Sequence, residues 1–313
     1  MHNEAVTIAT VTYAGSFVDI ADFLNQIQPA IEQYAGECEL LIVNNSGVDA
    51  ADKTEQQVVQ SGIRNTCAVR VVASPENNIS TARNMAFEKA SNDLLIFLDD
   101  DEFPVPKWIT YQVEALNRFS AQMVSGPTYP LYLFDAPQWV KSVDLHNTTG
   151  RTTGQVLDKS GAGNFLIRRS AAVGDLFSET YGRTGAEDTE FVLRQVQSGL
   201  KLVWCLEAAA YEYMPQHKST STYHIKRFIV QGQLHRKVMT ETGAIGSQFV
   251  FVIKSIIMIF ASAIIAPVLV LLSSRFAGRW MKRGFSNIGH LSRFSGEIYP
   301  SAKQNTDLGG DTK

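Results

Sequence analysis

An α/β fold is what this sequence predicts: a mostly parallel central sheet with flanking helices, followed by an apolar helical segment towards the C-terminus. Short apolar runs, Leu40-Leu41-Ile42-Val43 and Leu94-Leu95-Ile96-Phe97-Leu98, have the composition of strands buried on both faces. Stretches of helical spacing stand between such runs, which is the strand–helix–strand alternation of a parallel sheet. Apolar residues also concentrate in one late block, FVFVIKSIIMIFASAIIAPVLVLL at 249–272.

Taken in order, Val6-Thr7-Ile8-Ala9-Thr10-Val11 is a β-branched opening strand, broken by Tyr13-Ala14-Gly15-Ser16. Residues 19–34 have helical spacing, with Ile20, Phe23, Leu24, Ile27 and Ile31 on one face. The strand at Leu40 ends in the turn cluster Asn44-Asn45-Ser46-Gly47. A further strand, Val69-Arg70-Val71-Val72, precedes a helix over 80–90 and the buried strand 94–98. An amphipathic helix over 108–119 and a strand over 123–126 follow. Residues 130–160 are polar, with little periodicity, and read as a loop-rich acceptor region. A strand over 163–168, a helix over 187–198 and a strand over 202–205 complete the pattern. The expected division is a catalytic-type domain over 1–225 and a helical, membrane-associated region over 226–313.

Composition narrows the function classes. The chain has 313 residues, 45% of them hydrophobic, and a formal net charge of -3. That is too apolar for a disordered chain, and no basic excess exists to neutralise nucleic-acid phosphates. Cys38, Cys67 and Cys205 are too few and too scattered for a disulfide framework or a zinc site. The N-terminus lacks a basic start followed by an apolar stretch, so no secretory leader is expected and the site belongs in the cytoplasm.

Right-handed crossovers bring strand C-terminal ends to one edge, where open α/β sheets bind ligands. Asn44-Asn45-Ser46 and Asp99-Asp100-Asp101-Glu102 both fall at such ends. Four acids directly after LLIFL repel one another unless something positive sits among them. Mg2+ or Mn2+ bridging a diphosphate is the natural guest, since such ions bind through one or two carboxylates plus substrate phosphates. In an extended segment Asp99 and Asp101 point to the same side; the plainer alternative is a solvated acidic turn. A second group, Gly185-Ala186-Glu187-Asp188-Thr189-Glu190, opens a helical pattern and reads either as a catalytic base or as helix capping.

Three segments in this order, PENNISTARNMAFEKASNDLLIFLDDDEFPVPKW, GAGNFLIRR and GAEDTEFVLR, resemble the family 2 inverting glycosyltransferases of the Rossmann-like GT-A fold. The likeness covers roughly residues 5 to 215. It is greatest to bacterial enzymes that build exopolysaccharide or lipopolysaccharide sugars on a lipid carrier. The resemblance implies that Asp99 and Asp101, with Asp100 between them, hold the metal and the ribose-diphosphate of a nucleotide sugar. It implies that Thr10 and Tyr13 line the nucleoside and that Arg83 and Asn84 lie beneath the nucleotide. Gly161, Ala162 and Gly163 match a small-residue strand facing donor and acceptor, and Asp188, beside Glu187, matches the acid that deprotonates the acceptor hydroxyl. The second strand often ends in an Asp that reads the base in this family; here Asn44 and Asn45 stand there, and an amide can still pair with a uracil edge. The implied donor is a UDP-sugar, and the implied acceptor is polyprenyl-linked or an oligosaccharide.

His217 is a candidate third metal ligand or phosphate contact, against the plainer reading of a loop histidine. Lys226, Arg227, Arg236 and Lys237 read either as acceptor-pyrophosphate contacts or as plain juxtamembrane charge, and Trp139 reads as packing or as a sugar platform. The stretch from Ser255 to Leu272 carries no charge and approaches the length needed to cross a bilayer. Basic residues flank it on both sides, Arg227, Arg236 and Lys237 before, Arg275, Arg279, Lys282 and Arg283 after. The positive-inside tendency puts both flanks in the cytoplasm, which a single straight span cannot do, and Pro267 interrupts the block. A span and an in-plane or re-entrant segment both remain open, as does a buried helix at an oligomer interface. The first two hold the site at the cytoplasmic face of a bacterial inner membrane. Two other functions fit parts of the pattern. One is a membrane-tethered nucleotide-sugar-binding scaffold. The other is a haloacid-dehalogenase-type phosphatase, which wants Thr or Val where Phe103 stands.

Overall fold

A computed structural model of the chain describes residues 3–13, 16, 18–146, 148–243, 245–272 and 274–292. The alternation begins β1 (Val6–Thr12), α1 (Ile20–Glu32), β2 (Cys38–Asn44), α2 (Val48–Ser61), β3 (Ala68–Ala73), α3 (Ile79–Lys89) and β4 (Leu94–Leu98). It continues through β5 (Glu102–Pro104), α4 (Trp108–Arg118), β6 (Met123–Ser125), β7 (Thr128–Tyr132), α5 (Gln138–Ser142) and β8 (Val156–Leu157). Then come β9 (Asn164–Arg168), α6 (Glu187–Gln197), β10 (Leu202–Trp204) and β11 (Ala210–Met214), followed by helices α7 (Ser221–Glu241), α8 (Gln248–Leu272) and α9 (Ser274–Leu291).

The large sheet has the order β3-β2-β1-β4-β9-β6-β10-β8. β1 runs parallel to β2 and β4, and β2 parallel to β3, as the strand–helix alternation requires. β9 departs from that pattern and runs antiparallel between β4 and β6. Alternate residues of the central strands enter opposite cores. Ile8, Leu40, Ile42, Ile96 and Leu98 pack with Phe23, Leu24 and Ile27 of α1 on one face. Ala9, Leu41, Val43, Leu95 and Phe97 pack with Ala82 and Ala86 of α3 and Phe191 of α6 on the other. Burial on both faces is the reason these strands read as continuous apolar runs.

Helix α1 starts where Asp19 caps it, Oδ1 accepting the Ala21 N–H at 2.9 Å. Helix α2 escapes sequence reading because VDAADKTEQQVVQS buries only Ala51, Thr54 and Val58. It ends at Gly62, whose left-handed backbone (φ 73) terminates the helix.

The chain divides into two compact units, Met1–Tyr129 with Gly150–Glu212, and Pro130–Thr149 with Tyr213–Gly296. In the second, a small core of Val143, Leu145, Met214 and Phe228 is joined by Trp139, whose Nε1 donates to Ser221 Oγ at 3.1 Å. Trp139 is thus a packing residue. Arg236 donates to the carbonyl of His290 at 2.7 Å, at the C-terminal end of α9, where a cation is favoured.

At the N-terminal edge of the sheet, one buried carboxylate ties several strands together. Glu39 of β2 accepts from Thr7 Oγ1 at 2.6 Å, Arg70 Nε at 2.6 Å, and the Ser91 amide and hydroxyl at 2.8 and 2.9 Å. Burial acts to raise its pKa, but the hydrogen bonds from Thr7, Ser91 and Arg70 outweigh burial and hold it below the ordinary 4.5. A depressed pKa means that ionised Glu39 favours the folded state above the ordinary carboxylate range and loses that contribution as pH falls through it. Replacing Glu39 by Gln is expected to lower stability at pH 7 by about 2 kcal/mol. In urea titrations the gap to the wild type should close as pH drops below the ordinary value of 4.5; a gap independent of pH would contradict this assignment.

Candidate active site

The fully buried β4 delivers its chain end to the acidic cluster. Residues 99–102 form a turn there, closed by the Glu102 N–H to the Asp99 carbonyl at 3.1 Å, rather than the extended segment expected from sequence. The same-side argument for Asp99 and Asp101 therefore does not apply; the turn sets their directions. Asp100 faces inward at 8% exposure, while Asp99 keeps 44% of its side chain open. Glu102 opens β5 and lies directly opposite Glu212 of β11 in the antiparallel ladder. Both are 5% exposed, and like charges in such a cross-strand pair destabilise each other. Burial, then the charges of Asp99, Asp101 and Glu212, push the Glu102 carboxyl well above its ordinary pKa. Thr128 Oγ1 donates to Glu102 Oε1 at 3.1 Å, whereas Oε2 is buried with no hydrogen-bond partner among the described residues.

A guanidinium faces this negative field. Arg83, on α3 and 4% exposed, donates through Nη2 to Asp99 Oδ1 at 3.1 Å and through Nη1 to Glu187 Oε1. Its guanidinium also lies over the Phe177 ring, 5.9 Å from the centroid. Desolvation pushes the Asp99 carboxyl up; Arg83 pulls it down, and Asp188 and Glu212 add to the rise. Burial raises Glu187 to about 7 against the pull of Arg83, with Asp188 contributing in the same direction as burial.

Glu187 and Asp188 begin α6 after two successive left-handed residues, Gly185 (φ 80) and Ala186 (φ 72). Such a conformation is strained for alanine and swings the chain sharply into the helix. The two acids then part. Glu187 is 4% exposed and its carboxylate is held by Arg83, an arrangement unlike the open carboxylate expected of a catalytic residue. Asp188 accepts from the Ala162 amide at 3.2 Å through Oδ2, and from the Thr189 hydroxyl at 3.2 Å through Oδ1.

The segment Gly161-Ala162-Gly163 joins the two acidic groups. A Cβ at Gly161 would stand 2.9 Å from Asp188 Oδ2, and one at Gly163 would stand 2.8 Å from both Asp99 Oδ2 and Glu102 Oε1. The Gly163 carbonyl also accepts the Asp99 N–H at 3.2 Å. Only glycine at these positions lets the backbone pass so close to three carboxylates. Asn164 then anchors the strand, accepting from Trp108 Nε1 and Gln112 Nε2, both at 2.9 Å, and donating to the carbonyls of Pro127 and Ala208.

Other residues singled out by sequence are placed differently. Asn44 is 3% exposed and its amide joins Thr54 Oγ1 and the Ser46 N–H. Asn45 is 6% exposed and engages Asn77 and the Asn78 N–H. Both amides are occupied by the protein, so the expected base-reading role is corrected to a structural one. Asn84 exchanges two hydrogen bonds with the Phe177 backbone, at 2.9 and 2.8 Å, and so also holds the chain rather than a ligand. Thr10 is fully buried, while Tyr13 at the end of β1 is 47% exposed. His217 belongs to the second unit, in a short 3-10 turn at Gln216–Ser219, with its ring edge-on to Tyr223. Among the described residues no group of three or more His, Cys, Asp or Glu is arranged to hold a metal ion. Glu212 and Asn164 are what sequence reading missed; the AYEYM alternation around Glu212 is the one local signal, since it marks a strand whose charged residue faces inward.

This sheet order and strand-end site define the class first: the GT-A glycosyltransferase fold. Solved structures of that kind superpose on the chain. A mannosyltransferase, PcManGT from Pyrobaculum calidifontis in complex with GDP-Man and Mn2+, gives a TM-score of 0.55 at 15% identity, covering 79% of this chain and 66% of that one. S. aureus TarS gives 0.51 at 15% identity, covering 75% and 39%, and GalNAc-T7 with UDP, GalNAc and Mn2+ gives 0.51 at 12%, covering 72% and 47%. Within that class, the model of Glycosyl transferase family 2 matches residues 20–173. Over 172 residues the chain is 33% identical to the succinoglycan biosynthesis protein ExoM of Rhizobium meliloti (strain 1021), covering 54% of this chain and 56% of that protein. The chain thus spans little more than half the length of that relative.

The Arg83 bridge is open to direct test. Arg83→Met leaves two carboxylates without their cation and is expected to cost about 3–5 kcal/mol, read as a fall in the urea midpoint. Arg83→Lys keeps the charge but loses the two-armed fork, and should fall between that variant and the wild type. An unchanged midpoint in Arg83→Met would show that the bridge adds nothing to the fold.

Proposed function

We propose that the chain is an inverting glycosyltransferase that moves a sugar from a nucleotide-sugar donor, UDP-linked in our reading, to a hydroxyl of a lipid-linked or saccharide acceptor in cell-surface polysaccharide synthesis. The observation that carries this reading is the convergence of the Asp99–Glu102 turn and Asp188 on the two ends of the glycine segment 161–163. It supports one site with an acid-rich side for a donor diphosphate and a separate carboxylate for an acceptor. The succinoglycan relative supports the polysaccharide setting.

The residues present suit a hard divalent cation. Their donor set is all carboxylate oxygen, the acids outnumber the Arg83 guanidinium that faces them, and Glu102 keeps an unpartnered buried oxygen among the described residues. Asp99 and Asp101 would hold Mg2+ or Mn2+, which when bound neutralises the charge developing on the leaving diphosphate. The PcManGT and GalNAc-T7 complexes with Mn2+ support that choice. Tyr13, exposed at the β1 end, offers a ring on which a nucleobase stacks. Asp188 takes the proton of the acceptor hydroxyl as its oxygen bonds to the anomeric carbon. The bond from that carbon to the diphosphate oxygen breaks, and its electron pair leaves with the diphosphate. Attack from the face opposite the leaving group inverts the centre. Glu187, through Arg83, keeps Asp99 oriented. In this reading the C-terminal helices attach the enzyme to the inner face of the membrane, where a polyprenyl-linked acceptor is displayed.

Asp188→Asn is the deciding variant. It should lower transfer, or donor hydrolysis across a panel of nucleotide sugars, by about 10²–10⁴-fold, the usual contribution of a general base. Binding of UDP in the presence of Mn2+, followed by calorimetry, should stay within about twofold of the wild type, within the scatter of a peripheral change. Unchanged turnover would remove Asp188 from the role of base. A second variant, Gly163→Ala, forces Asp99 and Glu102 aside and is expected to weaken Mn2+-dependent UDP binding about 10-fold or more while the chain stays folded.

A further inference from the structure

We infer that the α8–α9 hairpin lies flat in one leaflet of an anionic lipid surface, with the outward face of α8 among the acyl chains and the basic-aromatic edge of α9 at the headgroups. This geometry rests on the proposed membrane attachment of the C-terminal helices and specifies its form.

Length does not decide between lying flat and crossing. Helix α8 has 25 residues, about 37 Å at helical rise, enough for a hydrocarbon core of about 30 Å. Its two faces differ sharply. Phe249, Ile253, Ile257, Phe260, Ile264 and Val268 fall on one stripe, and Phe249, Phe260 and Ile264 are 74%, 67% and 70% exposed. The opposite stripe consists of small residues, Ser255, Ser262 and Ala266, all buried.

That small-residue stripe is covered by α9 running antiparallel. Ser262 lies against Gly284, where a Cβ would stand 2.8 Å from the serine side chain. Seven residues earlier, Ser255 Oγ lies 3.3 Å from His290 Nδ1. The far side of α9 packs as closely on α7. A Cβ at Gly232 would stand 1.9 Å from the Ser286 carbonyl, and one at Gly289 would stand 2.0 Å from the Ile229 carbonyl. Among the described residues, helix α8 is therefore covered along one side and left open along the other.

Helix α9 carries Arg279, Lys282 and Arg283. If α8 crossed a bilayer, Arg279 and Arg283 would be carried to hydrocarbon depth beside it, a costly place for a charge, whereas Lys282 is turned inward to the Asp144 and Leu145 carbonyls. Lying flat removes that penalty, since only the outward stripe of α8 enters the acyl region. Arg279 lies over the Phe276 ring at 6.0 Å and Arg283 over the Trp280 ring at 5.4 Å, a pairing suited to the headgroup level. Residues 248–292 contain Lys254, Arg275, Arg279, Lys282 and Arg283 and no Asp or Glu. The surface that complements this segment is anionic.

The test uses the full chain with vesicles of phosphatidylcholine containing phosphatidylglycerol, and with phosphatidylcholine alone. Phe249→Trp, Phe260→Trp and Val268→Trp each place a reporter on the exposed stripe, and lipids brominated at shallow or deep positions report its depth by quenching, relative to wild type. The expected result is one shallow depth for all three, and binding at least about tenfold tighter to the anionic vesicles. Position 260 is about 16 Å along the axis from 249. A deep reporter at 260 with shallow ones at 249 and 268 would overturn the flat orientation while leaving membrane attachment intact. Equal binding to both vesicle types would overturn the headgroup contact. A chain that binds neither, and instead self-associates through α8, would overturn the attachment itself, and nucleotide-sugar hydrolysis by that same chain would separate this failure from failure of the catalytic reading.

Discussion

Everything in the site is organised around a buried cation. Arg83 is nearly closed off from solvent, yet a guanidinium does not give up its charge, so the fold must supply anions to it. Asp99 comes from 16 residues away and Glu187 from 104 residues away. The first contact needs α3 docked against the end of β4, and the second needs it docked against the start of α6. The bridge is therefore both a consequence of the packed sheet and the element that fixes the two acidic groups against each other. Removing Arg83 strands the buried Glu187 carboxylate without its cation, which is more costly than never having placed it there.

Consecutive acids on one helix turn meet different partners. Residues one apart on a helix project about 100° from each other, so the turn through Gly185 and Ala186 sends Glu187 inward to Arg83 and leaves Asp188 against the 161–163 segment. The same division holds at the sheet edge, where Asp100 and Glu102 turn inward and Asp99 remains open at its tip. More carboxylates gather here than one guanidinium balances. Gly163 makes the crowding sterically possible, and Asn164, with its hydrogen bonds to Trp108, Gln112, Pro127 and Ala208, keeps the strand from relaxing away from it.

The helical unit is packed by a different rule. Serine, alanine and glycine at the α8–α9 and α7–α9 contacts let backbones approach closely, while phenylalanine and isoleucine are turned outward in α8. In water that arrangement exposes the apolar side chains; against lipid it is the favourable one.

Much of this protein could be read from its residues in order. The strand runs at 40–43 and 94–98, the amphipathic α1, the acidic cluster at a strand end and the apolar 249–272 block are all visible, because periodicity and burial on both faces are written in neighbouring side chains. Only the tertiary structure decided the rest. Helix α2 hides because it covers the sheet with Ala51, Thr54 and Val58 alone. Asn44 and Asn45 have the right chemistry for a base and the wrong surroundings, their amides being taken by Thr54 and by Asn77 and Asn78. That Glu187 turns to Arg83 while Asp188 meets the Ala162 amide, and that Glu212 faces Glu102, depend on partners far away in the chain. A side chain's periodicity is a local property, but the charge that neutralises it, and the backbone that leaves it room, arrive only when distant segments pack.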